Sequence, residues 1–135
     1  MIRVVRLFTG DDGQSHVEEQ ILPTGPHGRD TATGWLMAGP VCFTQSPPGS
    51  TLDWHNAPHR QYVVTLTGTL RFTTRGGETF ELRPGDVLLA EDTTGGGHRW
   101  ELIDDQPWTR LYVTLPAQDG PAEGDPAGAN PSPNS

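Results

Sequence analysis

Lysine is absent from this 135-residue sequence: all nine basic residues are arginine, against 17 acidic ones, for a formal net charge of −8. A chain so acidic has no basic footprint to neutralise phosphates, which argues against nucleic acid as a partner. Cysteine occurs once, at Cys42, so no internal disulfide is possible. Its place in Val41-Cys42-Phe43 marks it as a small buried hydrophobe, and a reducing, cytoplasmic setting suits it. No apolar run approaches the roughly 20 residues of a membrane span, so no membrane partner is expected. The N-terminus, Met1-Ile2-Arg3-Val4-Val5-Arg6, lacks the apolar segment and small-residue cleavage site of a secretory signal.

Glycine and proline, by contrast, are plentiful, at 17 and 13 residues, while only 33% of the chain is apolar. Inside a helix each glycine costs roughly 1 kcal/mol and each proline roughly 3, so helical bundles, coiled coils and helical repeats drop out. The length suits one domain. The segment 116–135 holds five prolines and three glycines and no apolar residue larger than alanine. Such a stretch cannot offset its own ordering entropy, and it is predicted to be a disordered tail behind a folded unit of residues 1–115.

Within that unit, short alternating or apolar runs are broken by turn residues at close intervals. The runs are Arg3–Phe8, Val17–Leu22, Trp35–Gln45, Leu52–Asn56, Gln61–Thr67, Thr69–Thr74, Glu78–Leu82, Asp86–Glu91, His98–Ile103 and Trp108–Leu115. Strands at this spacing, rich in Thr, Val and aromatics, read as an all-β sandwich or barrel. Gly76-Gly77 marks a hairpin. At most one helical turn is expected, near Asp11–Glu19, and Gly95-Gly96-Gly97 reads as a flexible loop at the barrel rim rather than a phosphate loop, since no Lys-Ser/Thr follows it.

Side chains alternate faces along a strand, so a regular strand would place Asp53, His55, Ala57, His59, Gln61 and Val63 on one side. Two imidazoles and an amide oxygen on one face, with His98 arriving from a distant strand, suit a divalent metal: Fe, Mn, Ni, Zn or Cu. Candidate ligands are therefore His55, Gln61, His98 and His59. His59 and Asp53 are also candidate proton-transfer groups. Pro58 cannot donate to a strand ladder, and a bulge there would invert the parity that follows. Trp100 shares its parity with His98, which makes it a candidate cavity lining. Arg110 and Tyr112 point the same way as each other, inward or outward.

These segments resemble the two motifs of the cupin superfamily. Gly49, His55, Gln61 and Gly68 fall on the first motif, and Arg83-Pro84-Gly85-Asp86-Val87-Leu88-Leu89 followed by His98 falls on the second. The resemblance spans about residues 49–102 and implies a jelly-roll β-barrel. Two departures accompany it. Ala57 stands where the usual motif has its second histidine, and Gln61 where it has a glutamate. Only His55 and His98 therefore carry over as ligands, with Gln61 as a neutral third, and His59 is placed by parity to replace the missing imidazole. The resemblance implies a homodimer, with the Arg3–Phe8 and Val17–Leu22 strands as the contact. It also implies a small organic molecule held inside the barrel, by a metal-dependent isomerase, cyclase, lyase or dioxygenase. The competing reading is a non-catalytic, metal-free binding module or sensor.

Overall fold

The computed structural model describes residues 1–117, and the tail expected from residue 116 lies, from 118 onward, outside the described residues. The described chain holds twelve strands and no helix: β1 (Ile2–Thr9), β2 (Ser15–Leu22), β3 (Gly25–His27), β4 (Asp30–Ala32), β5 (Val41–Ser46), β6 (Thr51–His55), β7 (Gln61–Thr67), β8 (Leu70–Thr74), β9 (Thr79–Leu82), β10 (Val87–Glu91), β11 (His98–Leu102) and β12 (Trp108–Thr114). A six-stranded sheet in the order β2-β1-β10-β7-β12-β5 faces a four-stranded sheet in the order β6-β11-β8-β9. All pairings are antiparallel except β1 with β10, which run parallel from Val5–Leu88 to Phe8–Glu91.

The strands follow the alternation of the sequence. In β12, Trp108, Arg110, Tyr112 and Thr114 are buried, while Thr109, Leu111 and Val113 between them are only half-buried. Opposite them β11 buries His98, Trp100 and Leu102, and β8 buries Leu70, Phe72 and Thr74. The core between the sheets is Val5, Leu7, Val63, Leu88 and Ala90 from the large sheet and Leu70, Phe72, Leu82 and Trp100 from the small one, with Trp108 and Tyr112 crossing the gap. Each large apolar side chain so enclosed contributes roughly 1.5–3 kcal/mol over its exposed state.

Three local expectations are corrected. Residues 11–14 form a turn into β2 rather than a helical turn. The run Trp35–Gln45 is a strand only from Val41; residues 33–40 are irregular and leave Trp35 and Met37 on the surface. Residues 25–32, where the sequence marks no strand run, form the β3–β4 hairpin. At the surface, Ile2 and Ile21 of the β1–β2 edge lie beside the Arg3–Glu19 and Arg6–Glu18 ion pairs. The larger exposed apolar groups, Trp35, Met37 and Phe43, sit instead on β5 and the segment leading into it.

One surface contact makes stability depend on pH. His16 on β2 places Nε2 3.0 Å from Asp12 and Nδ1 3.1 Å from Glu78. Hydrogen bonds to Asp12 first, then Glu78, raise its pKa above the ordinary 6.5. A raised folded-state value means that the stabilisation is complete below about pH 6.5 and is lost as pH climbs through the folded-state pKa. The urea midpoint is therefore expected to fall between about pH 6 and pH 8, and to do so less in His16→Gln. Equal slopes in both proteins would contradict the assignment.

Candidate functional site

The sequence brings His55 and His98 together by register. They stand opposite each other at the β6–β11 junction, where the register slips between His98 and Trp100. That bulge keeps Leu52 and His55 half-buried while Asp53 is exposed and Trp54 lies under the guanidinium groups of Arg75 and Arg99, 4.4 and 5.1 Å from their carbons. Asp53 therefore does not share the His55 environment through its carboxylate. That group accepts from the Trp54 backbone N–H, while the Asp53 carbonyl accepts from His55 Nδ1 at 2.7 Å. The two imidazole rings are 4.4 Å apart and tilted by 59°. His98 also lies 5.6 Å from the ring of Phe72.

His98 is fully buried, and so is the residue that holds it. Asp92 Oδ2 accepts from His98 Nδ1 at 2.6 Å and from the Ser15 hydroxyl at 2.7 Å. An ionised carboxylate offers acceptors only, so the proton sits on Nδ1 and the ring of a neutral His98 presents its lone pair at Nε2. Nε2 is buried and has no hydrogen-bond partner among the described residues. A buried polar atom without a partner costs roughly 1–3 kcal/mol, which a fold retains where a ligand or reaction uses it.

Sequence reasoning missed Asp92 and Ser15. Asp92 reads as a turn residue beside Glu91, and its hydroxyl partner comes from 77 positions away. The parity of β10 separates the two acids. Glu91 turns to the outer face, where Arg6 and Arg60 both donate to it, while Asp92 turns inward.

The segment between Asp92 and His98 is pinned rather than flexible, contrary to the expectation for its glycine run. Gly96 N–H donates to the Gly13 carbonyl, Arg75 Nε donates to the Gly96 carbonyl, and Thr9 Oγ1 donates to the Thr94 carbonyl. A Cβ on Gly95 would meet the Gly13 oxygen at 2.2 Å, and one on Gly97 the His55 carbonyl oxygen at 2.5 Å. The glycines are there because backbone passes backbone at that distance. This clamp sets Asp92 at one end and His98 at the other.

The remaining candidates divide. Gln61 is fully buried at the start of β7, paired in register with Thr114. His59 is half-buried in the irregular stretch between β6 and β7, off the strand that the parity argument assumed. Ala57 is packed in the core, and its N–H donates to the Asp92 carbonyl. Arg110 and Tyr112, whose direction the sequence left open, both point inward.

The fit to a metal can be tested on these donors. Each of His55 and His98 has Nδ1 committed to an oxygen, as metal-bound histidines do. The set then stops short. Ala57 supplies no donor, Gln61 brings a neutral amide, and among the described residues no three His, Cys, Asp or Glu side chains are placed to hold a metal ion. Two imidazoles and a weakly donating neutral amide fall one strong donor short of the three-ligand sets that hold a divalent ion, so the residues present do not fit a tightly held one.

The solved structures that this chain resembles include a cupin-like protein from Thermotoga maritima, 24% identical over 62% of this chain and 61% of that one, with a TM-score of 0.48. A cupin superfamily protein from Desulfitobacterium hafniense is 17% identical over 56% of this chain, with a TM-score of 0.45. The Cnp3 cupin domain of Schizosaccharomyces pombe is 11% identical over 85% and 84% of the two chains, with a TM-score of 0.49. The match spans 64% of the Desulfitobacterium chain, just under two thirds. No curated protein matches the sequence. Residues 43–114, slightly more than half of the chain, match the family model of the cupin domain, and together with the two-sheet barrel and the motif residues placed within it this makes the protein a member of the cupin family.

Proposed function

We propose that this cupin binds a small organic molecule inside its barrel against His98, and moves a proton to or from it without a tightly held metal. The observation that carries the reading is the buried, partnerless Nε2 of His98, fixed in its tautomer by Asp92. An imidazole backed by a carboxylate is held in one orientation and stabilised as the imidazolium when it takes a proton. A module that merely encloses a ligand has no need of that carboxylate. Isomerisation can proceed by proton movement alone, and cyclase and lyase steps can be set off by the same proton transfer, which is what this pair supplies. His55, its ring tilted against that of His98, and Gln61 are the neighbouring polar groups.

The test uses tag-free protein and a panel of small carbonyl compounds in D2O. Deuterium is expected to enter α to the carbonyl of at least one compound, at a rate unchanged by a chelator. His98→Gln is expected to lower that rate by about 100-fold or more, the scale of general acid–base catalysis. Near-stoichiometric metal on elemental analysis, with exchange abolished by chelation, would overturn the metal-free reading. Binding without exchange across the panel would overturn the catalytic one.

A further inference from the structure

We infer that the molecule bound in the barrel is a small organic carboxylate, gripped by Arg110; the inference rests on the binding site proposed above and names its substrate class. Arg110 is 2% exposed, the most buried cation among the described residues. Its guanidinium carbon lies 3.9 Å from the centre of the Trp108 ring, 5.5 Å from that of Tyr112 and 5.8 Å from that of Trp100.

Nε donates to the Tyr112 hydroxyl at 3.0 Å, and Nη1 donates to Ser46 Oγ at 2.7 Å and to the Trp108 carbonyl at 3.1 Å. Nη2 has no hydrogen-bond partner among the described residues, and no carboxylate of theirs lies within 4.0 Å of the guanidinium. The chain does not lack acids to offer. Arg3, Arg6, Arg60, Arg71 and Arg83 all pair with glutamates at or near the surface.

A buried charge without a counter-ion is costly, and aromatic faces offset only part of that cost. A second unsatisfied donor belongs to a ring beside that guanidinium. Trp100 Nε1, also buried, has no acceptor among the described residues. Two unpartnered donors, one of them cationic, against one aromatic wall ask for an anion with two acceptor oxygens, which is a carboxylate.

That wall continues to the proposed proton-transfer group. Trp108 meets Phe72 with ring centres 6.2 Å apart, and Phe72 meets His98 at 5.6 Å. The guanidinium and the free imidazole nitrogen thus serve one interior, with Arg110 to anchor the anion and His98 to reach the rest of the molecule.

The experiment titrates wild-type protein with acetate and with its neutral isostere acetamide at fixed ionic strength, following the Arg110 side-chain Nε–H and the Trp100 indole N–H by NMR. Acetate is expected to shift both resonances and to bind at least about tenfold more tightly than acetamide, as for a charge-assisted hydrogen bond. Arg110→Gln is expected to remove that difference. Equal binding of the two probes, or acetate binding that survives Arg110→Gln, would overturn the inference, and so would absence of any acetate effect on the wild-type protein. His98→Ala separates this inference from the function it rests on. Acetate binding retained there, with deuterium exchange lost in that variant, supports both. Acetate selectivity without any exchange in wild-type protein upholds the anion site and overturns the proton-transfer role. Exchange without acetate selectivity does the reverse.

Discussion

Replacing Gly97 with alanine is expected to destabilise the protein by about 3 kcal/mol or more and to lower its melting temperature by about 10 °C. Two costs combine. Gly97 has a φ of 80°, a left-handed conformation that costs other residues roughly 1–2 kcal/mol. Its added Cβ would also stand 2.5 Å from the His55 carbonyl oxygen and 2.9 Å from the carbonyl carbon, atoms of a strand that cannot swing aside. Forcing extra volume into such a contact costs roughly 1–3 kcal/mol.

Gly49 supplies the control. Its φ is 86°, but nothing lies within 4 Å of where its Cβ would be, so Gly49→Ala should bear the conformational cost alone. The measurement is thermal unfolding of the two variants side by side, with the histidine ring resonances read in parallel. Gly97→Ala should also shift the resonances of His55 and His98, because relief of the clash parts β6 from β11. Similar losses in both variants would mean that the close approach to His55 carries no energy.

Removing the carboxylate of Asp92 is the second large effect. Asp92→Ala strips His98 Nδ1 and the Ser15 hydroxyl of their shared acceptor in a fully buried place. Each buried donor left without an acceptor costs about 1–3 kcal/mol, because neither group can find water. Asp92→Asn keeps an acceptor oxygen and the shape, and is expected to lose less than half as much. Ser15→Ala should cost only about 1 kcal/mol, the worth of an ordinary hydrogen bond.

Urea denaturation of the three variants orders them, and long-range proton–nitrogen NMR reports which His98 nitrogen carries the proton. In Asp92→Ala the ring loses the acceptor that fixes its tautomer, and Nε2-protonated rings should appear. An Asp92→Ala protein within about 1 kcal/mol of wild type would contradict the buried network.

Much of the barrel was legible because its strands alternate and its turns are marked. Gln61–Thr67 coincides with β7, and the ends of β10, β11 and β12 fall within a residue of the expected runs. The motif histidines likewise meet as a pair. What could not be read depended on contacts between distant positions. Asp53 seemed to share the His55 face because strict alternation was assumed, and the bulge that breaks it arises where β6 pairs with β11. Asp92 looked like a loop residue because its two partners, Ser15 and His98, approach from the edge strand two places away in its sheet and from across the glycine clamp. The glycines themselves looked loose, since their close neighbours, Gly13, Gln14 and His55, are far away in the chain. Arg110 was legible in its alternation but not in its side, which only the packing of Trp108 and Tyr112 decides.

The parallel pairing of β1 with β10 governs the order in which this molecule can be completed. Residues 2–9 leave the ribosome well before the strand that lies beside them, Val87–Glu91, which is made only after some 80 more residues. Closing so long a loop is entropically slow, and contacts of that span place a β-barrel among domains that fold in milliseconds to seconds rather than microseconds. The β1–β2 hairpin must therefore wait as an open-edged ribbon. Its early partner is itself: Arg3 with Glu19 and Arg6 with Glu18 put alternating charge on the waiting edge, a means of discouraging strand-to-strand association between nascent chains. Because the Ser15 hydroxyl and the anchor for the glycine clamp both belong to this segment, the Asp92–His98 pair is finished only when the earlier-made β1 finds the later-made β10.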